Sequence, residues 1–137
     1  LYGVEIPFDL GLDGHSDADV AVHAIMDAVL MSIGERDIGV QFPDGDSRYK
    51  DICSMTLLEK VAKTATEKNA SVQSISCVIM AEEPKLASYI PQMCKNVAQV
   101  LGLPESRVNI SATTTEKLGI IGNKQGIAAQ AVCLTQL

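Results

Sequence analysis

The sequence predicts an α+β fold: a single domain spanning residues 1–137, with a mixed β-sheet covered on one face by helices. Three observations carry that prediction. Stretches with helical periodicity alternate along the chain with stretches of period-two alternation. The length of 137 residues suits one sizeable core. The segment at 127–134 is apolar on both faces, which places it centrally in a sheet or against another surface.

Residues 1–7 read as the middle of a β-hairpin, so a strand is expected before Leu1, and residues 4–8 are predicted to be a short edge strand, where Pro7 is tolerated. Residues 9–14 are rich in Gly and Asp and read as a loop. A first helix is predicted over 17–33, with Ser16 as N-cap, Asp19 as the acidic partner of a capping box, and Gly34 as the stop. Residues 35–51 form a long polar connection, which by composition is a turn region. Ser54 is expected to cap a second helix reaching Lys68, with Leu57, Leu58, Val61, Ala62 and Ala65 inward and Glu59 and Lys63 outward.

A strand follows over 72–81, where Ile75, Cys77 and Ile79 share one side. A third helix starts near Pro91 and buries Ile90, Met93, Val97 and Leu101 before Gly102 and Pro104 end it. Residues 108–113 are a strand, a loop punctuated by Gly119, Gly122 and Gly126 comes next, and 127–134 is the last strand. With a preceding strand the order is β-β-α-α-β-α-β-β. Ferredoxin-like topologies belong to this class. A sheet with helices on one face needs a cover for the other, and self-association is the simplest.

The net charge of −6 and the absence of a basic stripe argue against a nucleic-acid surface. They leave room for a small phosphorylated ligand. No run approaches the roughly 20 apolar residues of a membrane span. Cys53, Cys77, Cys94 and Cys133 form no CxxC pair and read as reduced core residues of an intracellular protein, without a role as metal ligands.

The first helix carries the chemistry. It is apolar nearly all round, except that Asp19, His23 and Asp27 recur every four positions and so share one face. Polar groups on a buried helix must be paired or bound. One reading has Asp19 capping and His23 hydrogen-bonded to Asp27 in the core. The other makes His23 a metal ligand, with Asp27 a second ligand or the group that orients the imidazole. With His15 just before the cap, the metal reading is preferred. At 113–116, Thr113, Thr114 and Thr115 offer hydroxyls and N–H groups to phosphate oxygens, and Glu116 suits a hard divalent cation. Threonines also simply favour strands, and on residue types alone that plainer reading stands, with Glu116 and Lys117 a surface pair.

In combination these motifs are specific. The run at 13–28 contains HSDxDVxxH. Asp37-Ile38-Gly39 follows, then FPDxD at 42–46, Pro84-Lys85, Ile90-Pro91-Gln92-Met93, and ATTTEKLG at 112–119. In order and spacing, from Gly3 to the C-terminus, they resemble the signature of the 2-C-methyl-D-erythritol 2,4-cyclodiphosphate synthase family. The resemblance implies a chorismate-mutase-like or ferredoxin-like fold and a homotrimer with active sites between subunits. It implies an enzyme of non-mevalonate isoprenoid biosynthesis, cytoplasmic in bacteria or in the plastid stroma of a eukaryote. The substrate would be 4-diphosphocytidyl-2-C-methyl-D-erythritol 2-phosphate, whose own 2-phosphate attacks the β-phosphate and expels CMP. The implied cofactors are Zn2+ or another divalent transition metal, and Mg2+ or Mn2+.

By resemblance, His23 is a zinc ligand. The family's other two ligands lie in an Asp-x-His motif on a leading strand expected before Leu1, so a zinc site resting on His23 alone is expected to bind weakly. His15 and Ser16 correspond to contacts with substrate phosphate, with His15 also a transition-state stabiliser. Asp37, Ile38 and Gly39 correspond to the turn that holds the methylerythritol hydroxyls, and Phe42, Pro43, Asp44, Gly45 and Asp46 to a mobile substrate loop. Ala81, Glu82, Glu83, Pro84, Lys85 and Leu86 correspond to the cytosine pocket. Thr113, Thr114, Thr115 and Glu116 correspond to the phosphate-binding segment, with Thr114 the second transition-state stabiliser and Glu116 the ligand of magnesium or manganese. Asn123 stands where a basic residue is common, and Ile120 where an aromatic is frequent.

The chemistry accords with the composition. Attacker and leaving group lie in one molecule, so no activated Ser or Cys is needed; folding the substrate and neutralising charge suffice. Two other readings compete: a zinc-dependent phosphoesterase using water, and a non-catalytic trimeric module with a nucleotide pocket.

Overall fold

The computed structural model describes residues 1–6, 19–50 and 52–137. Five helices and three strands are described: α1 (Val20–Ser32), α2 (Ile38–Gln41), α3 (Ser54–Glu67), β1 (Ser71–Met80), α4 (Ile90–Leu101), β2 (Val108–Thr113), α5 (Gly119–Gly122) and β3 (Ala128–Gln136). The sheet has the order β2-β1-β3, with β1 parallel to β2 and antiparallel to β3. This is the expected α+β class with a mixed sheet.

Alternation decides which way the sheet faces. Ile75, Cys77 and Ile79 of β1 point inward and are buried, as are Val108 and Ile110 of β2. They meet Ala21, Ile25 and Val29 of α1, Leu58 and Val61 of α3, and Met93 and Val97 of α4 in one continuous core. The opposite face of the sheet carries Val78, Val132 and Leu134, which are 39%, 65% and 63% exposed. Among the described residues β3 is an outer strand of this sheet, paired only with β1.

Several expectations are corrected. Val4, Glu5 and Ile6 are not in a strand; Val4 N–H instead closes a turn on the Leu1 carbonyl at 2.9 Å. The turn is enforced by left-handed φ values of 51° at Tyr2 and 74° at Gly3. Tyr2 is fully buried and holds that conformation because its N–H donates to Asp19 Oδ2 and its carbonyl accepts from Asn96 Nδ2 at 2.8 Å. Burial pushes its phenol well above the usual range, with the Cys77 thiol adding to the effect. Pro7, Phe8 and the 9–14 loop lie outside the described residues, as do residues 16–18 of the predicted helix start. Among the described residues α1 begins at Val20 with Asp19 as N-cap, its Oδ1 accepting from Val22 N–H at 3.1 Å.

Ser54 is not a cap: Cys53 holds that position, and Ser54 is the first residue of α3, fully buried. Cys53 is exposed, contrary to a core role, whereas Cys77 is buried. The polar connection 35–51 contains α2 and a 3-10 turn at Ser47–Tyr49, and the glycine-punctuated loop contains α5.

Gly122 is where glycine is required by space. A Cβ there would lie 2.1 Å from the carbonyl carbon of Lys117. The 116–118 backbone crosses directly over it, with Glu116 and Lys117 at φ 53° and 65°. Gly122→Ala is therefore expected to lower stability by roughly 1–3 kcal/mol, read as a drop in Tm. Gly45→Ala, where nothing lies within 4 Å, is expected to leave Tm unchanged.

Candidate active site

The parallel pairing of β1 and β2 builds the first part of the site. Met80 stands opposite Thr113, so both strands end at the same edge of the sheet. The segments leaving them, 81–86 and 113–116, emerge side by side. Ala81 N–H extends the pairing by donating to the Thr113 carbonyl at 2.9 Å. Glu82 then bridges the gap: its Oε2 accepts from Thr115 N–H at 3.3 Å. A cis peptide joins Glu83 to Pro84, Leu86 is buried, and Lys85 is exposed. Glu83 pairs with Lys124 at 3.1 Å, which draws the end of the 119–126 segment to the same edge. Crevices outside the carboxyl ends of parallel strands are where open sheets bind ligands.

Within this edge the threonines are differentiated by their bonds. Thr115 Oγ1 donates to the Leu118 carbonyl at 2.8 Å and serves the turn. Thr113 Oγ1 donates to the Thr114 carbonyl at 3.2 Å. Thr114 Oγ1 accepts from Glu116 N–H at 3.2 Å, which leaves its own O–H available as a donor. Glu116 is exposed at φ 53°, held out from the sheet by this turn.

The second part lies along α1. His23 Nε2 meets the buried Ser54 Oγ at 3.1 Å. One turn on, Asp27 Oδ1 accepts from Ile38 N–H at 2.9 Å, so the described role of Asp27 is to hold α2. Asp37 caps α2 through Oδ1, which accepts from Val40 N–H at 3.0 Å. Gly39 sits in that turn, 3.2 Å from Asp37 Oδ1 at its Cβ position.

The 42–46 segment folds onto itself. The Phe42 and Tyr49 rings meet edge-on at 5.1 Å and 74°, and the Arg48 guanidinium lies 5.2 Å from the Tyr49 centroid. Arg48 forks onto Asp46, with Nη2 to Oδ2 at 2.6 Å, and the hydrogen bond and charge of Asp46 raise its pKa. Pro43, Asp44 and Gly45 are exposed between these anchors. His15 and Ser16 lie outside the described residues.

The structure thus brings 81–86 together with 113–116, and His23 and Asp27 together with Ser54 and the Asp37–Gly39 turn. It does not gather a three-ligand group: among the described residues no set of three or more His, Cys, Asp or Glu side chains could hold a metal. Zinc takes three or four protein ligands, so His23 with its described neighbours falls short of a zinc site. Magnesium asks for one or two carboxylates and completes its shell with water and phosphate oxygens, and the exposed Glu116 fits that demand. Sequence reasoning missed Ser54 as the partner of His23, because a Ser at a helix start reads as a cap. It also missed Lys124, whose only signal was its place beside Asn123.

Fold and site define a class: α+β proteins offering hydroxyls, peptide N–H groups and carboxylates at the shared end of two parallel strands. A profile of the YgbB family matches residues 1–136. The 2-C-methyl-D-erythritol 2,4-cyclodiphosphate synthase of Clostridium novyi (strain NT) is 50% identical over 134 residues, covering 98% of this chain and 85% of that one. The bifunctional IspDF from Campylobacter jejuni superposes with a TM-score of 0.92 at 40% identity, covering 98% of this chain; this chain spans 36% of that one. The CDP complex of IspF from Plasmodium falciparum gives a TM-score of 0.76 at 30% identity over 89% of this chain and 72% of that one. The chain belongs to the YgbB family.

Ser54→Ala removes the described partner of a half-buried imidazole. It is expected to cost about 1–2 kcal/mol of stability, read by denaturant unfolding. Ser54→Thr, which keeps the hydroxyl, is expected to cost less.

Proposed function

We propose that this chain converts 4-diphosphocytidyl-2-C-methyl-D-erythritol 2-phosphate to 2-C-methyl-D-erythritol 2,4-cyclodiphosphate with release of CMP, in non-mevalonate isoprenoid biosynthesis. The observation that carries the reading is the joining of 81–86 to 113–116 by Glu82 and Thr115, which holds the segment proposed for cytosine beside the segment proposed for phosphate. The curated relative bears the name of this synthase, and the solved relative from Plasmodium holds CDP. The phosphoesterase and the non-catalytic module have no comparable support.

In this reading an oxygen of the 2-phosphate forms a bond to the β-phosphorus. The bond from that phosphorus to the oxygen bridging it to CMP breaks, and CMP leaves with that oxygen. No group of the protein is alkylated or phosphorylated. The protein's work is to fold the substrate and to meet the charge that develops. Residues 81–86 receive the cytosine, with Lys85 at their exposed end. The Thr114 hydroxyl, accepting from Glu116 N–H, donates to a phosphate oxygen. Asp37 and Gly39 face the sugar hydroxyls, and His15 and Ser16 contact substrate phosphate. Glu116 would hold magnesium or manganese, which when bound supplies Lewis-acid neutralisation of the diphosphate. No step is assigned to zinc.

We place the site between subunits of a homotrimer. The support is the sheet face left uncovered by the described residues: Val132 and Leu134 are more than half exposed and opposite small Ser76 and Ser74, an apolar surface that a neighbouring subunit would cover. No described helix is long and apolar enough to cross a membrane, and the assignment to the cytoplasm rests on the same proposal.

Incubating the chain with the nucleotide substrate and magnesium is expected to yield CMP and a cyclic diphosphate in equal amounts by phosphorus NMR; a linear phosphate product would reject the cyclase. Glu116→Gln is expected to lower magnesium-dependent turnover by roughly 100-fold or more with Tm unchanged within error, since it removes a charge-assisted contact from an exposed loop. Light scattering is expected to give three times the chain mass, and Val132→Lys to give the single-chain mass.

A further inference from the structure

The turn Asp37–Gly39 is carried by α2, which has four residues. A helix of one turn has no stability of its own. Its geometry must come from what grips it, and the structure shows a grip at each end. At the start, Asp27 of α1 accepts from Ile38 N–H at 2.9 Å while Asp37 caps Val40 N–H. At the end, Gln41 Nε2 donates to the Glu35 carbonyl at 3.2 Å, and Glu35 is itself paired with Lys68 at the end of α3. The first grip acts directly on a peptide N–H of α2 from the core helix α1, whereas the second reaches α3 only through Glu35 and Lys68. Asp27 and His23 lie one turn apart on the same face of α1, and four neighbouring α1 residues, Val22, Ile25, Met26 and Val29, are fully buried.

We propose that Asp27 is a positioning residue: through its bond to Ile38 N–H it sets the Asp37–Gly39 turn in register with His23 on α1. This rests on the proposed function for its kinetic consequence, though not for its structural one. What matters is an acceptor oxygen at Oδ1, since the donor is a neutral peptide N–H. Negative charge on Asp27 is secondary. A role as metal ligand, or as the partner that orients His23 by charge, would make the opposite demand.

The pair Asp27→Asn and Asp27→Ala separates these cases. Asparagine keeps an oxygen acceptor of nearly the same shape; alanine removes it. Asp27→Ala is expected to lower kcat/KM by roughly 10- to 100-fold, as leaving the Ile38 N–H without its acceptor would. The loss should fall mainly in KM, because the sugar-binding turn is displaced while the phosphate-binding edge is intact. Asp27→Asn is expected to stay within about threefold of the parent. Hydrogen exchange provides a readout that does not depend on turnover: amides of residues 38–41 should exchange faster in Asp27→Ala and at the parent rate in Asp27→Asn. Equal loss of kcat/KM in both variants, or exchange at 38–41 unchanged in Asp27→Ala, would overturn the proposal. If the parent itself releases no CMP, the functional reading fails and the exchange comparison still decides the anchor.

Discussion

α1 is apolar over most of its surface, and its cap Asp19 and the polar residues His23 and Asp27 each reach a different segment of the chain. Asp19 holds the N–H groups of Tyr2 and Val22, His23 meets Ser54 at the start of α3, and Asp27 takes the first N–H of α2. A carboxylate or imidazole brought into such surroundings without a partner would cost several kcal/mol. These three residues therefore pin the N-terminal turn, α3 and α2 to one rod. Slippage of any of them would cost a buried or half-buried polar group its partner.

The opposite construction operates at the end of the sheet. There the polar groups are on loops, and the loops are placed by backbone pairing. Because β1 and β2 run parallel, their carboxyl ends coincide, and the chain must leave both at one edge. The Glu82 carboxylate and the Thr114 hydroxyl bind peptide N–H groups of the 113–116 turn and give it a single shape. Gly122 permits the close crossing that brings 119–126 beneath that turn, and the pair Glu83–Lys124 closes the edge. A rigid rod on one side and an edge set by strand pairing on the other are what a reaction within one folded substrate requires, since little else than distance has to be controlled.

Much of this was legible in residue order. The helices, the strands and their inward faces follow from periodicity, and Ile75, Cys77, Ile79, Met93 and Val97 are buried as alternation and helical spacing predict. The motif blocks identified the family, and the profile match over residues 1–136 agrees. What was misread has a common cause. Ser54 reads as a cap because serine at a helix start usually is one, yet its hydroxyl is turned into the core by a histidine 31 positions earlier. Asp27 reads as a partner of His23 because four residues separate them, yet its described bond is to a peptide eleven positions on. Residues 4–6 read as strand by composition, and the left-handed pair Tyr2–Gly3 makes a turn there instead.

The sequence by itself determined the class of fold, the family and the chemical types present at the site. Local periodicity and short motifs are properties of neighbours along the chain, and those survive in one dimension. Tertiary structure decided which acceptor serves which donor: that Asp27 grips α2, that Ser54 faces His23, that Glu82 spans two loops, and that β1 runs between β2 and β3. Hydrogen bonds between distant segments depend on distances of a few ångströms that no spacing in the chain encodes, so they exist as information only once the helices have packed on the sheet.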